Sequence, residues 1–279
     1  MPRTTPRIVA AAGAAALVLI LAACAPAGDT AGTPDSGYVT DGKLTIGTGL
    51  PAYYPWVIDD APESGEGFEA AVAYAVADEL GFDKSDVVWV RSTFEQAVAP
   101  GAKDFDVNIQ QFSITEERKA NVDFSSPYYE TTQVVITTAA SKAADATSIA
   151  DLKGLLIGAQ TGTTSFDAVE QQIAPTAGAQ VFNTNDDAKL ALENGTVDAI
   201  VVDLPTAFYL TGVELTDGLI VGQLPQIDGD GDAFGLVLSK DSPLTASVTA
   251  AVDALRESGT LKKLADTWLS DAADAPPLS

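Results

Sequence analysis

The stretch Ser113-Ile114-Thr115-Glu116-Glu117-Arg118, continued by Asp123-Phe124-Ser125-Ser126-Pro127-Tyr128-Tyr129, is the part around which the rest of the chain is arranged. It follows Phe105-Asp106-Val107-Asn108-Ile109, in which apolar residues alternate as they do on a strand with one buried face. Two hydroxyl side chains, a predicted helix start and an arginine then occur within six residues. Backbone N–H groups at a helix start, together with a guanidinium that can bind two oxygens at once, predict a site for a carboxylate.

A simpler interpretation gives the same stretch a local role only. Ser113 or Thr115 would cap a helix, and Glu116 and Glu117 would be favourable in its first turn. This interpretation accounts for the hydroxyl groups but leaves Arg118 without a role. As an isolated pattern, S-x-T-x-x-R favours the simpler interpretation, so the choice depends on the wider context.

That context is a resemblance to a known family. Ser-Ile-Thr-Glu-Glu-Arg followed by Val-Asp-Phe-Ser-Ser-Pro-Tyr-Tyr closely resembles the signature of family 3 extracellular solute-binding proteins, the ligand-capturing subunits of polar amino-acid ABC importers. The resemblance runs from about Lys43 to Trp268. It implies an α/β protein with a two-lobe, periplasmic-binding-protein-like (type II) fold and two crossing hinge strands. Residues 42–131 and 234–270 would form the first lobe and residues 132–233 the second, with the ligand between them.

The first 24 residues have the features of a bacterial lipoprotein signal. Arg3 and Arg7 supply positive charge, and Ile8 to Leu21 is an uncharged, mostly apolar run that is short for a membrane span. Leu21-Ala22-Ala23-Cys24 resembles a lipobox, which implies a signal peptide of residues 1–23 and a lipid on Cys24. The alternative is an ordinary signal peptide with an incidental cysteine. Because Cys24 is the only cysteine, the chain cannot form an intramolecular disulfide.

Residues 24–41 are rich in Gly, Ala, Pro, Thr and Asp, which predicts a flexible tether after the lipidated cysteine. The protein is therefore expected outside the cytoplasm, anchored to the cell membrane through the lipid on Cys24. The roughly 235 residues that follow are enough for one large or two medium domains.

The chain is strongly acidic, with 39 Asp and Glu against 15 Lys and Arg. Loss of Arg3 and Arg7 with the signal would change the net charge from −24 to −26. This balance argues against nucleic acid and against anionic lipid surfaces as partners.

Two aromatic residues of the predicted first lobe are candidates for the ligand site. Tyr53 lies in an aromatic loop after the predicted strand Lys43–Thr48, where ligands of open α/β sheets bind. The alternative is a hydrophobic plug beneath the loop, which we favour for Trp56. The resemblance implies that Phe94 stacks on a bound amino acid, with an ordinary core phenylalanine as the alternative.

Two glutamines, Gln110 and Gln111, stand where relatives usually carry small residues whose carbonyls help to hold the ligand's ammonium group. Their side chains either reach the ligand or point away, and we count Gln111 and Ser113 among the binding residues. Many relatives of basic specificity carry an acidic residue where this chain has Gly49. This difference favours a ligand with a neutral polar or apolar side chain.

The loop Gln160-Thr161-Gly162-Thr163-Thr164-Ser165 precedes a predicted helix and offers backbone N–H groups to an anion. Plain N-capping by Thr163 or Thr164 is the alternative, and the loop lacks the lysine of a phosphate loop. The resemblance implies that Thr164 binds the ligand carboxylate opposite Arg118, and we count Thr163 among the binding residues. Contacts from two lobes to one carboxylate would couple binding to closure.

Asp203 ends a run, Val197-Asp198-Ala199-Ile200-Val201-Val202, whose β-branched residues are typical of a buried parallel strand. The resemblance implies that this aspartate binds the α-ammonium group of the ligand. The alternative is an N-cap for a helix from Pro205 to Leu210, and both roles can hold together.

Asp228-Gly229-Asp230-Gly231-Asp232 is similar to the first half of a calcium loop. Ala233 and Ser239 stand where that pattern requires glycine and a late glutamate, so a flexible acidic turn is favoured over a metal site. We expect no metal, no cofactor and no catalytic residue.

These features predict a binding protein that closes around an amino acid and delivers it to the transmembrane subunits of an ABC permease. A monomer is expected. One alternative is an enzyme on the same fold, similar to cyclohexadienyl dehydratase, which would need a positioned acid or base. The chain has no histidine, although Asp203 and the glutamates could serve. Another alternative is a ligand-sensing module, which a fused transmembrane and kinase region would mark.

Overall fold

The computed structural model of the chain describes residues 37–226, 232–269 and 275–279. The predicted signal peptide, Cys24 and the tether up to residue 36 lie outside these ranges, as does the acidic turn except for Asp232. None of the helices in the described ranges combines the length and the apolar character that crossing a bilayer requires.

The described residues contain two five-stranded sheets and one two-stranded ribbon. The strands are β1 (Leu44–Thr48), β2 (Val87–Arg91), β3 (Val107–Asn108), β4 (Val122–Phe124), β5 (Tyr129–Thr131), β6 (Gln133–Thr138), β7 (Ile157–Gln160), β8 (Gln180–Phe182), β9 (Ala199–Asp203), β10 (Gly218–Gln223), β11 (Asp232–Phe234) and β12 (Val237–Ser239). The α-helices are α1 (Phe68–Glu79), α2 (Phe94–Val98), α3 (Glu116–Lys119), α4 (Ile149–Leu152), α5 (Thr164–Ala168), α6 (Asn185–Glu193), α7 (Leu204–Tyr209), α8 (Thr245–Glu257) and α9 (Thr260–Trp268). Short 3₁₀ or π turns cover Ile58–Asp60, Pro62–Ser64, Lys84–Asp86, Val169–Ile173 and Leu210–Glu214.

The first sheet has the strand order β2-β1-β3-β12-β4. Strand β1 runs parallel to β2 and β3, whereas β12 is antiparallel to β3 and β4. All five residues of β1 are buried, because α1, α8 and α9 pack with the sheet around one apolar core. Helix α1 begins after Gly67, and its buried residues include Phe68, Val72 and Val76.

The second sheet has the order β10-β6-β9-β7-β8. Strands β7, β8 and β9 are parallel, and β6 pairs antiparallel with both β9 and β10. Apolar clusters lie on the two faces of this sheet, since Val134, Ile136, Ile200 and Val202 belong to one cluster and alternate residues belong to another. A strand covered on both faces explains the continuous apolar run that ends at Asp203.

The two crossing hinge strands that the resemblance implied correspond to β5 and β11, which form the ribbon between the sheets. The chain changes partners at Thr132, because β5 pairs with β11 whereas β6 pairs with β9 and β10. Residues 235–236 likewise separate β11 from β12. We call β5 and β11 the hinge ribbon, the residues around the first sheet the first lobe, and those around the second sheet the second lobe.

The segment 275–279 lies against the second sheet, a placement that the sequence analysis did not include. Pro277 pairs with Gln223 at the end of β10, and the Leu278 backbone N–H donates to the Gln223 carbonyl at 2.8 Å. Leu278 is buried in one apolar cluster of this sheet and Ala275 in the other. These five residues therefore complete the second lobe.

Candidate functional site

A cavity of about 310 Å³ lies between the two sheets, and its walls come from both lobes. The first lobe contributes the loop after β1, the start of α2 and the region from β3 to α3, and the second lobe contributes the starts of α5 and α7. All eight residues selected from the sequence line this cavity: Tyr53, Phe94, Gln111, Ser113, Arg118, Thr163, Thr164 and Asp203. The structure therefore brings together side chains that are up to 150 positions apart in the chain.

Arg118 is held in place by the short helix α3. Thr115 caps this helix, since its hydroxyl accepts a hydrogen bond from the Arg118 backbone N–H at 3.2 Å. The guanidinium donates from Nη1 to the Ser113 carbonyl at 2.7 Å and from Nη2 to the Gly162 carbonyl of the second lobe at 2.9 Å. It also lies 5.1 Å from the centre of the Phe94 ring. The capping role is thus performed by Thr115, and Arg118 points into the site.

The Arg118 guanidinium is buried, and within the described residues no carboxylate lies at ion-pair distance from it. Burial lowers its pKa, while the charges of Asp232, Asp167 and Asp203 act in the opposite direction. Two of its five N–H donors bind backbone carbonyls. A buried cation without an ion-pair partner is costly unless an anion joins it. A ligand carboxylate would supply that anion.

Thr164 connects the two lobes through its hydroxyl group. The Thr164 oxygen lies 3.1 Å from Ser113 Oγ and 3.0 Å from Asp232 Oδ2. Because an ionised carboxylate only accepts, Thr164 donates to Asp232 and Ser113 is the donor to Thr164. A hydroxyl has one proton, so the donor that Thr164 retains for a ligand is its backbone N–H.

Thr163 lines the cavity but has the capping role that was the alternative interpretation. Its hydroxyl accepts from the Phe166 backbone N–H at 3.2 Å and donates to the Gln160 carbonyl at 2.7 Å. The Thr163 hydroxyl is therefore engaged within its own loop, and it fixes the start of α5.

Asp203 lies at the carboxyl end of β9, where the chain enters α7. It holds the N-cap position of this helix, but its side chain makes no capping hydrogen bond. Instead, Asp203 Oδ1 accepts from Gln133 Nε2 at 2.9 Å. Burial raises the pKa of Asp203 to about 8, and the negative charge of Asp232 adds to this rise. The capping alternative is thus wrong for the side chain, which is free to face a cation.

Two residues next to this site, Gln133 and Asp232, were not selected from the sequence. Gln133 is buried at the start of β6; it accepts from Ser165 Oγ at 2.6 Å and donates to both Asp203 and Asp232. Gln133 could have been noticed as a polar residue opening a run of buried β-branched residues. Asp232 was grouped with the acidic turn, because nothing in its local pattern separates it from Asp228 and Asp230.

Gln111 lines the cavity, but its polar groups bind Glu69. Glu69 is 1% exposed and accepts from the Gln111 backbone N–H at 2.8 Å, from the Gln111 side chain and from the Tyr128 hydroxyl. Burial raises the pKa of Glu69 to about 7, although these hydrogen bonds favour the ionised form. The burial of Glu69 could have been inferred from the sequence, since Glu69 falls on the same helical face as the apolar residues Val72 and Val76. The amide of Gln111 is therefore a structural group of the cavity wall.

The aromatic loop after β1 touches the second lobe at three points. Tyr53 donates to Asp186 Oδ2 at 3.2 Å, and Trp56 Nε1 donates to Thr206 Oγ1 at 3.3 Å. The rings of Tyr54 and Tyr209 have centres 4.8 Å apart. Trp56 is also buried in the core of the first lobe, as the plug interpretation proposed. The loop thus joins the lobes beside the cavity.

Gln110 and Gly49 form the wall on the side of the first sheet. A Cβ atom on residue 49 would lie 2.9 Å from Gln110 Nε2, so the glutamine side chain occupies the space that a side chain at 49 would need. Gln110 Oε1 is buried without a hydrogen-bond partner among the described residues. Phe94, opposite Arg118, packs on Phe112 with ring centres 4.7 Å apart.

Comparison with known proteins agrees with this architecture. Residues 44–271 match the family described as bacterial extracellular solute-binding proteins, family 3. The L-arginine-binding protein of Pseudomonas aeruginosa is 30% identical over 240 residues, which cover 84% of this chain and 90% of that protein. Such relatives are named as binding proteins and not as enzymes, in line with our expectation.

Solved structures show the same fold. An ancestral arginine-binding protein bound to arginine has a TM-score of 0.66 at 30% identity, with 81% of this chain and 98% of that chain covered. An ancestral arginine-binding protein bound to glutamine has a TM-score of 0.67, also at 30% identity, with 82% and 98% covered. The fold is the type II periplasmic-binding-protein fold that the sequence predicted. The chain therefore belongs to the family 3 bacterial extracellular solute-binding proteins.

Proposed function

We propose that this chain is the lipid-anchored substrate-binding subunit of an ABC importer and that it captures an amino acid between its lobes. The observation that carries the proposal is the buried Arg118 guanidinium, which faces an interlobe cavity without an ion pair among the described residues. The names of the relatives, which bind arginine or glutamine, support an amino-acid ligand.

The cavity lining offers one group for each charged end of an α-amino acid. Arg118 binds the α-carboxylate with N–H donors that its contacts to Ser113 and Gly162 leave available. The backbone N–H of Thr164 adds a contact from the second lobe. The ionised carboxylate of Asp203 binds the α-ammonium group, and Phe94 and Tyr53 cover the ligand side chain. Because these groups belong to both lobes, ligand binding stabilises the closed arrangement.

Isothermal titration calorimetry of the purified full-length chain with a panel of L-amino acids tests this proposal. We expect one or a few members to bind with a stoichiometry near one. The absence of binding by every member would refute the amino-acid assignment. A turnover assay with prephenate or arogenate serves as the control for the enzyme alternative, and we expect no product.

Within such a panel, a neutral polar amino acid such as L-glutamine is expected to bind more tightly than L-arginine or L-glutamate. Apart from Arg118 and Asp203, the charged residues that line the cavity are Glu69, whose oxygens are engaged, and Glu95, which is exposed. A cationic side chain therefore finds only a water-screened partner, and an anionic one finds no cation. Tightest binding by L-arginine would reject this preference while leaving the amino-acid assignment intact.

The lipid anchor at Cys24 has its own test. Replacing Cys24 with alanine is expected to abolish the incorporation of labelled palmitate into the protein in growing cells, since the thiol that would carry the lipid is lost. Ligand binding by the variant should be unchanged. Equal labelling of the variant and the wild type would contradict the anchor.

A further inference from the structure

Asp232 connects the hinge ribbon to the two residues of the second lobe that are proposed to bind the ligand carboxylate and ammonium groups, Thr164 and Asp203. It is the first residue of β11, where it pairs with Thr131 of β5. Its Oδ2 atom accepts from Thr164 Oγ1 at 3.0 Å and from Gln133 Nε2. Gln133 also donates to Asp203 at 2.9 Å. The Asp232 carboxylate on the hinge ribbon therefore contacts Thr164 directly. It reaches Asp203 through the amide of Gln133.

Asp232 acts on the ligand through these residues. It does not line the interlobe cavity; it lines a smaller cavity of about 200 Å³ behind it, together with Thr164 and Gln133. Thr164 and Gln133 both have other partners, so their orientations depend on which acceptor is present. With Asp232 in place, the proton of the Thr164 hydroxyl points to the ribbon. The Gln133 amide donates to Asp203 and Asp232, and its Nε2 also lies 3.3 Å from Thr164 Oγ1.

The electrostatic environment of the site depends on the same residue. Among the nearby charges, that of Asp232 has the largest effect on the pKa of the Arg118 guanidinium. It also has the largest effect of any charge on the pKa of Asp203. The charge of Arg118 lowers the pKa of Asp203, and that of Glu69 raises it. The charge of Asp203 in turn raises the pKa values of Tyr128 and Tyr129. Because Asp232 has the same sign as Asp203, it opposes ionisation of the group that would bind the ammonium.

We propose that Asp232 is a positioning residue of the ligand site, which fixes the Thr164 hydroxyl and the Gln133 amide from the hinge ribbon and thereby couples the ribbon to ligand affinity. The inference rests on the proposed function, because it assumes that Thr164 and Asp203 contact the ligand. It gives the ribbon a role in binding beyond connecting the lobes.

Two substitutions separate the hydrogen bonds of Asp232 from its charge. Asp232→Ala removes both, whereas Asp232→Asn keeps an oxygen that can accept from Thr164 and Gln133. At pH 8.5, where Asp203 of the wild type is mostly ionised, we expect Asp232→Ala to weaken binding by about tenfold to a hundredfold, the effect of losing hydrogen bonds to a charged group. We expect Asp232→Asn to retain affinity within about threefold at the same pH, because its amide oxygen can still accept from Thr164 and Gln133.

The dependence of ligand affinity on pH distinguishes a positioning role from a purely structural one, which would leave this dependence unchanged. Without the negative charge of residue 232, Asp203 ionises at lower pH, so the Asp232→Asn variant should reach its full affinity at a lower pH than the wild type. Asp266→Asn is the matched control, since it removes the same charge from an exposed helix pair with Lys262. We expect its affinity and pH profile to equal those of the wild type.

The measurement is calorimetric titration with L-glutamine and with L-arginine between pH 6 and pH 8.5, supported by thermal melting of each variant without ligand. Wild-type affinity in Asp232→Ala, or an unshifted profile in Asp232→Asn, would overturn the role of Asp232 while the proposed function stands. If Asp232→Ala does not fold, the Asp232→Asn profile alone decides. If neither probe binds the wild type, the same titrations use the member of the L-amino-acid panel that does bind, and the absence of binding by every member would count against the proposed function itself.

Discussion

Replacing Arg118 with alanine is expected to weaken amino-acid binding by about 30-fold to several thousand-fold. Loss of one partner from a buried, hydrogen-bonded charge pair costs about 2–5 kcal/mol, and each 1.4 kcal/mol changes the dissociation constant tenfold. The substitution leaves the ligand carboxylate without its guanidinium and also removes the contact from Arg118 to the Gly162 carbonyl of the second lobe. Both losses reduce affinity, and the second also reduces the preference for the closed arrangement.

Arg118→Lys distinguishes charge from geometry. A lysine retains the positive charge but cannot bind the Ser113 and Gly162 carbonyls and a ligand carboxylate with one planar group. We expect its affinity to lie between those of the wild type and the alanine variant. Arg256→Ala is the matched control, because Arg256 is 45% exposed and pairs with Asp253 on the surface. Calorimetry should show wild-type affinity for this control, and wild-type affinity in Arg118→Ala would contradict the assignment of the carboxylate site.

The sequence was most informative where a local pattern has a single structural solution. Alternating and continuous apolar runs predicted the strands β1, β3 and β9. The eight candidate binding residues line one cavity because they lie at or beyond the carboxyl ends of strands, which meet between the lobes, although Phe94, Thr164 and Asp203 were identified through the family resemblance. Their roles toward a ligand stay predictions.

The change of strand partners within a mostly β-branched run was not predictable. Residues 131–138 are β-branched except for Gln133, yet β5 pairs across the hinge ribbon and β6 pairs within the second sheet. Propensity describes whether a residue suits a strand and carries no information on which strand it will pair with. The docking of residues 275–279 on β10 was missed for the same reason.

The hydrogen-bond partners of the site residues were not predictable because they depend on long-range contacts. Gln111 was expected at the ligand, but its amide is bound by Glu69, which is 42 positions away in sequence. Thr163 and Thr164 are adjacent and chemically alike, yet one caps α5 and the other reaches across to Ser113. Only the tertiary arrangement distinguishes these roles.

The affinity for amino acids is expected to increase as pH rises from 6 to 8. Burial, with the nearby charge of Asp232, raises the pKa of Asp203 to about 8 in the ligand-free protein, so this group is mostly protonated at neutral pH. A ligand ammonium favours the ionised carboxylate and lowers this pKa in the complex. Binding below pH 8 therefore releases a proton, and the dissociation constant should fall up to about tenfold per pH unit.

Calorimetry in two buffers of different ionisation enthalpy measures this proton release directly. We expect close to one proton per bound ligand near pH 7 and a value approaching zero above pH 8.5. Asp203→Asn should bind weakly at every pH and release no proton from this position. Asp266→Asn is the control, because Asp266 is an exposed carboxylate paired with Lys262, and we expect this variant to release as much proton on binding as the wild type. A wild-type affinity that does not change between pH 6 and pH 8 would contradict ionisation of Asp203 on binding.

The stability of the ligand-free protein should show the opposite trend. The pKa of Asp203 is higher in the folded chain than its ordinary value of 3.8, so the folded state holds a proton that the unfolded state has lost between pH 4 and pH 8. The contribution of Asp203 to the free energy of unfolding is therefore largest below pH 4 and declines as pH rises to about 8. Thermal melting of the wild type and Asp203→Asn over this range isolates that contribution, since the wild type should lose stability relative to the variant as pH rises. Saturating ligand should reduce the loss, because the bound ammonium compensates the carboxylate charge that destabilises the ligand-free site.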